Sequence, residues 1–238
     1  MYHWTEDMIR FMIDASAYGN YHRSLAQIIL PYLKGVTRLC DAGCGLGDLS
    51  LALADTVPNI TAIDIKTQAA EVLRHQCESR NTHNIHVING DIHDNPPIVP
   101  YDGMVFCYFG KTEDILKIVK EQCAGTVIVI KKNYSMHRFS VGQYPAGFDG
   151  YTHMKTVLQS KEIPFESKEI SLEFGQPFHS FEDVRTFFNC YSRDEDPSVL
   201  TDEFLYGKVI QTGRDDFPLY MPHQRKSGII CFRSENLH

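Results

Sequence analysis

The chain has 238 residues, 43% of them hydrophobic and 22% charged, which is enough to bury a sizeable core in one large or two small domains. Its formal net charge of −7 argues against a general nucleic-acid binder, which carries a basic patch and a high pI. No apolar run is long enough to cross a bilayer, and Trp4, Glu6 and Asp7 stand where a secretory signal would be basic and then apolar, so a cytoplasmic protein is expected.

Helical spacing of Met8, Phe11 and Met12, and then of Leu25, Ile28, Ile29 and Tyr32, predicts two helices over residues 5 to 33, with Pro31 near the end of the second. Strands and helices then alternate. Strands are expected at Val36 to Asp41, Ile60 to Ile65, Ile85 to Ile88, Met104 to Phe109 and Thr126 to Ile130. Helices are expected at Leu46 to Ala54 and Gln68 to Ser79, and another capped by Thr112 with Glu113 and Asp114 in its first turn. Short apolar strands alternating with helices predict an α/β fold with a mostly parallel, doubly wound sheet.

Beyond residue 131 the pattern changes. Gly142, Pro145, Gly147 and Gly150, with aromatics between them, predict an irregular tract over 140 to 152. A helix is expected at His153 to Ser160 and a strand at Glu166 to Phe174. Ser180 with Asp183 three residues on starts a helix, a second covers Ser198 to Tyr206, and a strand closes the chain at Ile229 to Arg233. We expect a single domain over residues 1–238: an N-terminal helical lid (1–34), a core (35–135) and a second half (136–238) with a helical insertion at 178–222.

The chemistry concentrates at Leu39-Cys-Asp-Ala-Gly-Cys-Gly-Leu-Gly-Asp48, where an apolar strand runs into three alternating glycines and then a helix. Glycines permit a tight turn and let a ligand approach bare backbone near the free N–H groups of the helix start. A dinucleotide fingerprint starting at Gly43 needs a third glycine where Asp48 stands. Carboxylates at 41 and 48 suit a cation better than a pyrophosphate, which disfavours a nicotinamide-dependent oxidoreductase. Asp64, ending the second strand 23 residues after Asp41, has the spacing of an acid that reaches ribose hydroxyls. Asp91, after the third strand, can accept from an adenine amine, with Ile65 and Ile92 as apolar walls. The seven scattered cysteines include Cys40 and Cys44, four apart, but no second close pair completes a zinc set, so reduced thiols and no metal are expected.

These features resemble the class I S-adenosylmethionine-dependent methyltransferases: Asp41-Ala-Gly-Cys-Gly-Leu-Gly47, Asp64 at the end of the second strand and Gly90-Asp91 after the third. The resemblance covers residues 36 to 131 and implies a Rossmann-like seven-stranded sheet, with strands near 170 and 230 as its reversed edge. It further implies that Asp41, Gly43, Cys44 and Gly45 hold the methionine part of S-adenosylmethionine, Asp64 the ribose, and Asp91 with Ile65 and Ile92 the adenine. S-adenosylhomocysteine is then the product.

Methyl transfer is an in-line displacement that needs alignment, exclusion of water and removal of a proton where the acceptor carries one. The fourth strand ends in Cys107-Tyr-Phe109, which places Cys107 beside the cofactor and makes Tyr108 and Phe109 candidates for lining the site. Resemblance makes Ala17 to His22 part of a lid, with Tyr18 and Tyr21 as cofactor contacts and His22 as a candidate base. His179 is a second candidate base. Asn95-Pro-Pro-Ile98 departs from the Asn-Pro-Pro-aromatic motif of amino-group methyltransferases in lacking the aromatic and in preceding the fourth strand, and reads as a loop. Expected function is methyl transfer to the oxygen, nitrogen or carbon of a small molecule. RNA or protein methylation, and a catalytically silent S-adenosylmethionine-binding protein, are the alternatives.

Overall fold

The computed structural model describes residues 4–134, 148–191 and 197–237. Most of the irregular tract expected at 140 to 152 therefore lies outside the described residues. The helices are α1 (Glu6–Tyr18), α2 (Tyr21–Ile29), α3 (Asp48–Leu53), α4 (Thr67–Ser79), α5 (Thr112–Gln122), α6 (Tyr151–Ser160), α7 (Phe181–Tyr191) and α8 (Asp202–Tyr206). The strands are β1 (Arg38–Ala42), β2 (Asn59–Asp64), β3 (Ile85–Asn89), β4 (Tyr101–Cys107), β5 (Cys123–Lys132), β6 (Phe165–Glu173), β7 (Gln176–Phe178), β8 (Ile210–Gln211), β9 (Leu219–Met221) and β10 (Gln224–Arg233).

Seven strands form one sheet in the order β3-β2-β1-β4-β5-β10-β6. The pairs β1–β2, β1–β4, β2–β3 and β4–β5 are parallel, and β10 runs antiparallel to β5. This is the mostly parallel, Rossmann-like seven-stranded sheet expected, with β10 as its reversed strand.

Contacts divide the chain into two compact units. The larger is built from the described parts of His22–Asn133, Gly147–Ile170 and Lys226–His238. Successive residues of β4, Met104, Val105 and Phe106, are all fully buried, as only a sheet covered on both faces allows. One face packs Met104, Phe106, Val127 and Val129 against Ile115 and Val119 of α5 and Met154 and Leu158 of α6. Side chains of this kind each contribute about 1.5–3 kcal/mol on burial.

The smaller unit comprises the described parts of Met1–Tyr21, Tyr134–Ala146 and Ser171–Arg225. Its core joins Phe11 of α1, Phe178, and Val184, Phe187 and Phe188 of α7 with Leu205 and Met221. The expectation of a helical insertion at 178–222 needs correction, because this unit also contains a three-stranded sheet, β7-β9-β8, with antiparallel pairs. Strands of two and three residues are too short to leave a period in the sequence. The helix expected over Ser198 to Tyr206 is also broken. Thr201 is extended (ψ 156°), and its Oγ1 accepts from Phe204 N at 3.2 Å, so a new helix starts there.

Candidate functional site

Parallel pairing brings the carboxyl ends of β1 to β4 to one edge. Ala42 stands in register with Ile63 and Phe106, and Asp64 with Asn89. The turn after β1 is left-handed at Gly43 (φ +69°), Gly45 (φ +56°) and Gly47 (φ +79°), conformations that strain any residue with a side chain. A Cβ on Gly43 would stand 2.1 Å from Cδ2 of Phe109, so that ring rests on the bare turn.

Four amides of this turn are engaged within the chain. Gly43 and Cys44 both donate to Ile63 O (2.8 and 3.0 Å), Gly47 donates to Cys44 O (3.0 Å), and Gly45 donates to Asp64 Oδ2 (2.9 Å). These N–H groups stitch the turn to the end of β2. What the glycines offer a ligand is space at the backbone, while the charge comes from the carboxylates around them.

Asp41 is only 1% exposed. Its Oδ2 accepts from Ser50 Oγ at 2.6 Å, and its buried Oδ1 has no hydrogen-bond partner among the described residues. Burial pushes its carboxyl up to about 6; the Ser50 bond opposes this and the charge of Asp64 adds to it. Asp64 is fixed at both oxygens, Oδ2 by Gly45 N and Oδ1 by Lys66 N (2.9 Å each). Ile65 beside it is 48% exposed, a large apolar side chain left open at the sheet edge. Beyond β3, Gly90 N and Asn89 Nδ2 donate to Asp64 O, and Asp91 Oδ1 accepts from His93 N at 3.0 Å. Ile92 is buried, and its carbonyl accepts from Gln122 Nε2 at 2.8 Å. Asn95, in the loop, donates to Asp91 O at 2.7 Å.

The end of β4 completes the edge. Cys107 is half-buried, and Tyr108 is left-handed (φ +56°), a strained conformation for an aromatic residue of the kind that clusters at functional sites. Its N–H donates to Ile130 O (2.9 Å), and its hydroxyl forms a short hydrogen bond with Ser227 Oγ. The larger unit thus brings together Asp41, Gly43, Cys44, Gly45, Asp64, Ile65, Asp91, Ile92, Cys107 and Tyr108. His22, also in this unit, lies half-buried in the first turn of α2.

Tyr18, Tyr21 and His179 belong to the smaller unit. Tyr18 stacks on Tyr220 (4.9 Å) and meets Phe217 edge-on, with the Arg214 guanidinium over its ring. Tyr21 is buried against Phe174 (4.4 Å). His179 has oxygen at both ring nitrogens: Asp216 O at 2.7 Å from Nδ1 and Asp14 Oδ2 at 3.4 Å from Nε2.

Sequence reasoning missed four groups that shape this edge. Ser50 and Gln122 bind Asp41 and Ile92 as described. Asp149 caps α5, accepting from Thr112 N and Oγ1 at 2.6 Å each, so Thr112 is the first helical residue and not the cap expected of it. Buried Lys131, at the end of β5, donates to Gly110 O (2.9 Å) and Asp149 Oδ1 (2.8 Å). Its position after the apolar run Val127 to Ile130 was the available signal. Its partner, 18 residues on, was not readable.

Residues 39–124 match the family described as a methyltransferase domain. No protein of curated function matches the sequence. Three solved structures share the fold. A candidate methyltransferase of Bacillus halodurans superposes with a TM-score of 0.57 at 16% identity, covering 91% of this chain and 99% of its own. YcgJ of Bacillus subtilis gives 0.55 at 12% identity, with 90% and 99% covered. Precorrin-6y C5,15-methyltransferase of Geobacter metallireducens gives 0.52 at 12%, with 88% and 87% covered. The matched segment runs from β1 to the start of β5 and contains Asp41, Asp64 and Asp91. Residues 39–124 therefore carry a methyltransferase domain, of a kind that uses S-adenosylmethionine, and the chain shares the fold of these structures.

Proposed function

We propose that this chain transfers a methyl group to a small-molecule acceptor, at oxygen, nitrogen or carbon, and does so in the cytoplasm. The placement of the cofactor is carried by Asp41. A buried carboxylate oxygen without a partner, beside three left-handed glycines, fits a ligand bearing an ammonium and a sulfonium. Asp64 suits the ribose, because each of its oxygens takes one backbone N–H and keeps a lone pair for a hydroxyl donor. Asp91 serves the adenine amine, and half-exposed Ile65 with Ile92 flanks the ring. Cys44 lines the turn, and Cys107 and Tyr108 line the end nearest the reacting carbon.

The bound cofactor supplies an activated methyl group on positively charged sulfur. The residues of the chain hold it, orient the acceptor, exclude water and take up a proton where the acceptor has one to lose. His22 is the candidate for that proton, and the Ser227 bond fixes the Tyr108 hydroxyl as an orienting group. The two oxygen partners of His179 favour a fastening role within its own unit. The net charge of −7 favours a small molecule over RNA, and an odd number of scattered cysteines suits a reducing compartment.

The test is incubation with cofactor labelled in the methyl group, together with a metabolite extract, total RNA and a protein lysate. Label in the low-mass fraction is the expected outcome. Label appearing in RNA or protein instead would replace the small-molecule reading.

A further inference from the structure

The turn joining β4 to α5 is held more firmly than a connection requires. Tyr108 and Gly110 (φ +62°) are both left-handed. Tyr108 is fastened at its amide by Ile130 and at its hydroxyl by Ser227. The Gly110 carbonyl accepts from the Lys131 ammonium, which is 3% exposed and makes its second bond to Asp149. Asp149 in turn accepts from both polar groups of Thr112. Between these anchors lies Phe109, whose ring fills the space a Cβ on Gly43 would need.

A buried ammonium–carboxylate pair is a poor way to gain stability, because apolar groups of similar volume do as well or better. Directionality is what it adds. Lys131 fixes one carbonyl, and that carbonyl belongs to the residue after Phe109. We infer that Lys131 and Asp149 are positioning residues for the cofactor turn, acting through Gly110 to press the Phe109 ring onto Gly43. The inference rests on the cofactor lying over residues 41 to 47. In physical order, the ion pair sets the Gly110 carbonyl, the carbonyl sets the left-handed turn, and the turn seats the ring. The ring then packs on Gly43, a position with no side chain of its own. Slackening any link widens the range of positions open to Gly43 and weakens binding with no direct contact to the ligand lost.

The experiment is calorimetric titration of S-adenosylhomocysteine into the full chain and its Asp64→Ala, Phe109→Ala, Lys131→Met, Lys131→Arg and Phe109→Ala/Lys131→Met variants. Phe109→Ala and Lys131→Met should each weaken binding about tenfold, and the double variant no more than the weaker single, as expected of coupled residues. Lys131→Arg, which keeps the charge and donors, should restore most of the affinity. Should Lys131→Met fail to fold, Asp149→Asn takes its place alone and with Phe109→Ala. Wild-type affinity in Phe109→Ala, or losses that multiply in the double variant, would overturn the inference. Asp64→Ala separates the two readings. If it binds like wild type, the cofactor placement itself is wrong. If it binds weakly while Phe109→Ala does not, only the positioning role falls.

Discussion

A carboxylate buried without a full set of partners makes a demand on pH. Asp41 sits at about 6 where 3.8 is ordinary, so the folded chain binds its proton more tightly than the unfolded chain does. Stability therefore falls as pH rises from 3.8 to about 6, by roughly 3 kcal/mol if the whole shift is expressed. A cationic ligand prefers the ionised form, so its dependence has the opposite sign. The Kd for S-adenosylmethionine should fall up to about tenfold per pH unit below 6 and level off above it. Asp41→Asn should flatten that profile, and a slope that survives in this variant would count against a role for Asp41. At Asp64 we expect Asp64→Ala to weaken cofactor binding by about 1.5–3 kcal/mol, the size of a charge-assisted hydrogen bond. Asp94→Ala, altering an exposed residue of the loop after β3, should leave affinity unchanged in the same titration. Asp41, Asp64 and Asp91 could be located from the sequence because each stands at or just beyond the end of a short apolar strand. Ser50, Gln122, Lys131 and Asp149 could not, because their partners are 9, 30, 18 and 37 residues away and no local pattern specifies them.

At the scale of elements, the start of α7 was readable for the opposite reason, since its cap is local. Ser180 Oγ accepts from Asp183 N at 3.2 Å, and Asp183 Oδ2 accepts from His179 N at 3.2 Å. Ser180→Ala should therefore destabilise the smaller unit by about 1 kcal/mol, measured by chemical denaturation. An unchanged transition would mean that Asp183 alone sustains the cap. Thr112 shows where such reading stops. A threonine followed by Glu113 and Asp114 has the composition of a helix start, yet the acceptor that serves α5 comes from the segment before α6. The short strands β7, β8 and β9 escaped notice because three residues carry no measurable alternation.

Across the whole molecule, the mostly parallel sheet followed from the alternation of apolar strands and helices and its reversed edge from the resemblance, while the division into two units was not legible. Ligand choice is a property of the complete cofactor edge. Asp48 occupies the first turn of α3, where a dinucleotide site has its third glycine, and Asp41 and Asp64 add charge of the same sign. S-adenosylmethionine and S-adenosylhomocysteine should both raise the melting temperature, with about 2.7 kcal/mol of stabilisation at a hundredfold excess over Kd. NAD at the same concentration should leave it unchanged. Stabilisation by NAD alone would overturn the cofactor assignment. Among the described residues no helix is long and apolar enough to cross a membrane.

The position of β10 has a consequence for biosynthesis. This strand, residues 224–233, is inserted between β5 and β6. Until the ribosome has released it, β5 has an open flank and β6 has no neighbour to pair with. A nascent chain of this protein must therefore wait with an unpaired strand face exposed, the state most prone to sticking to other chains.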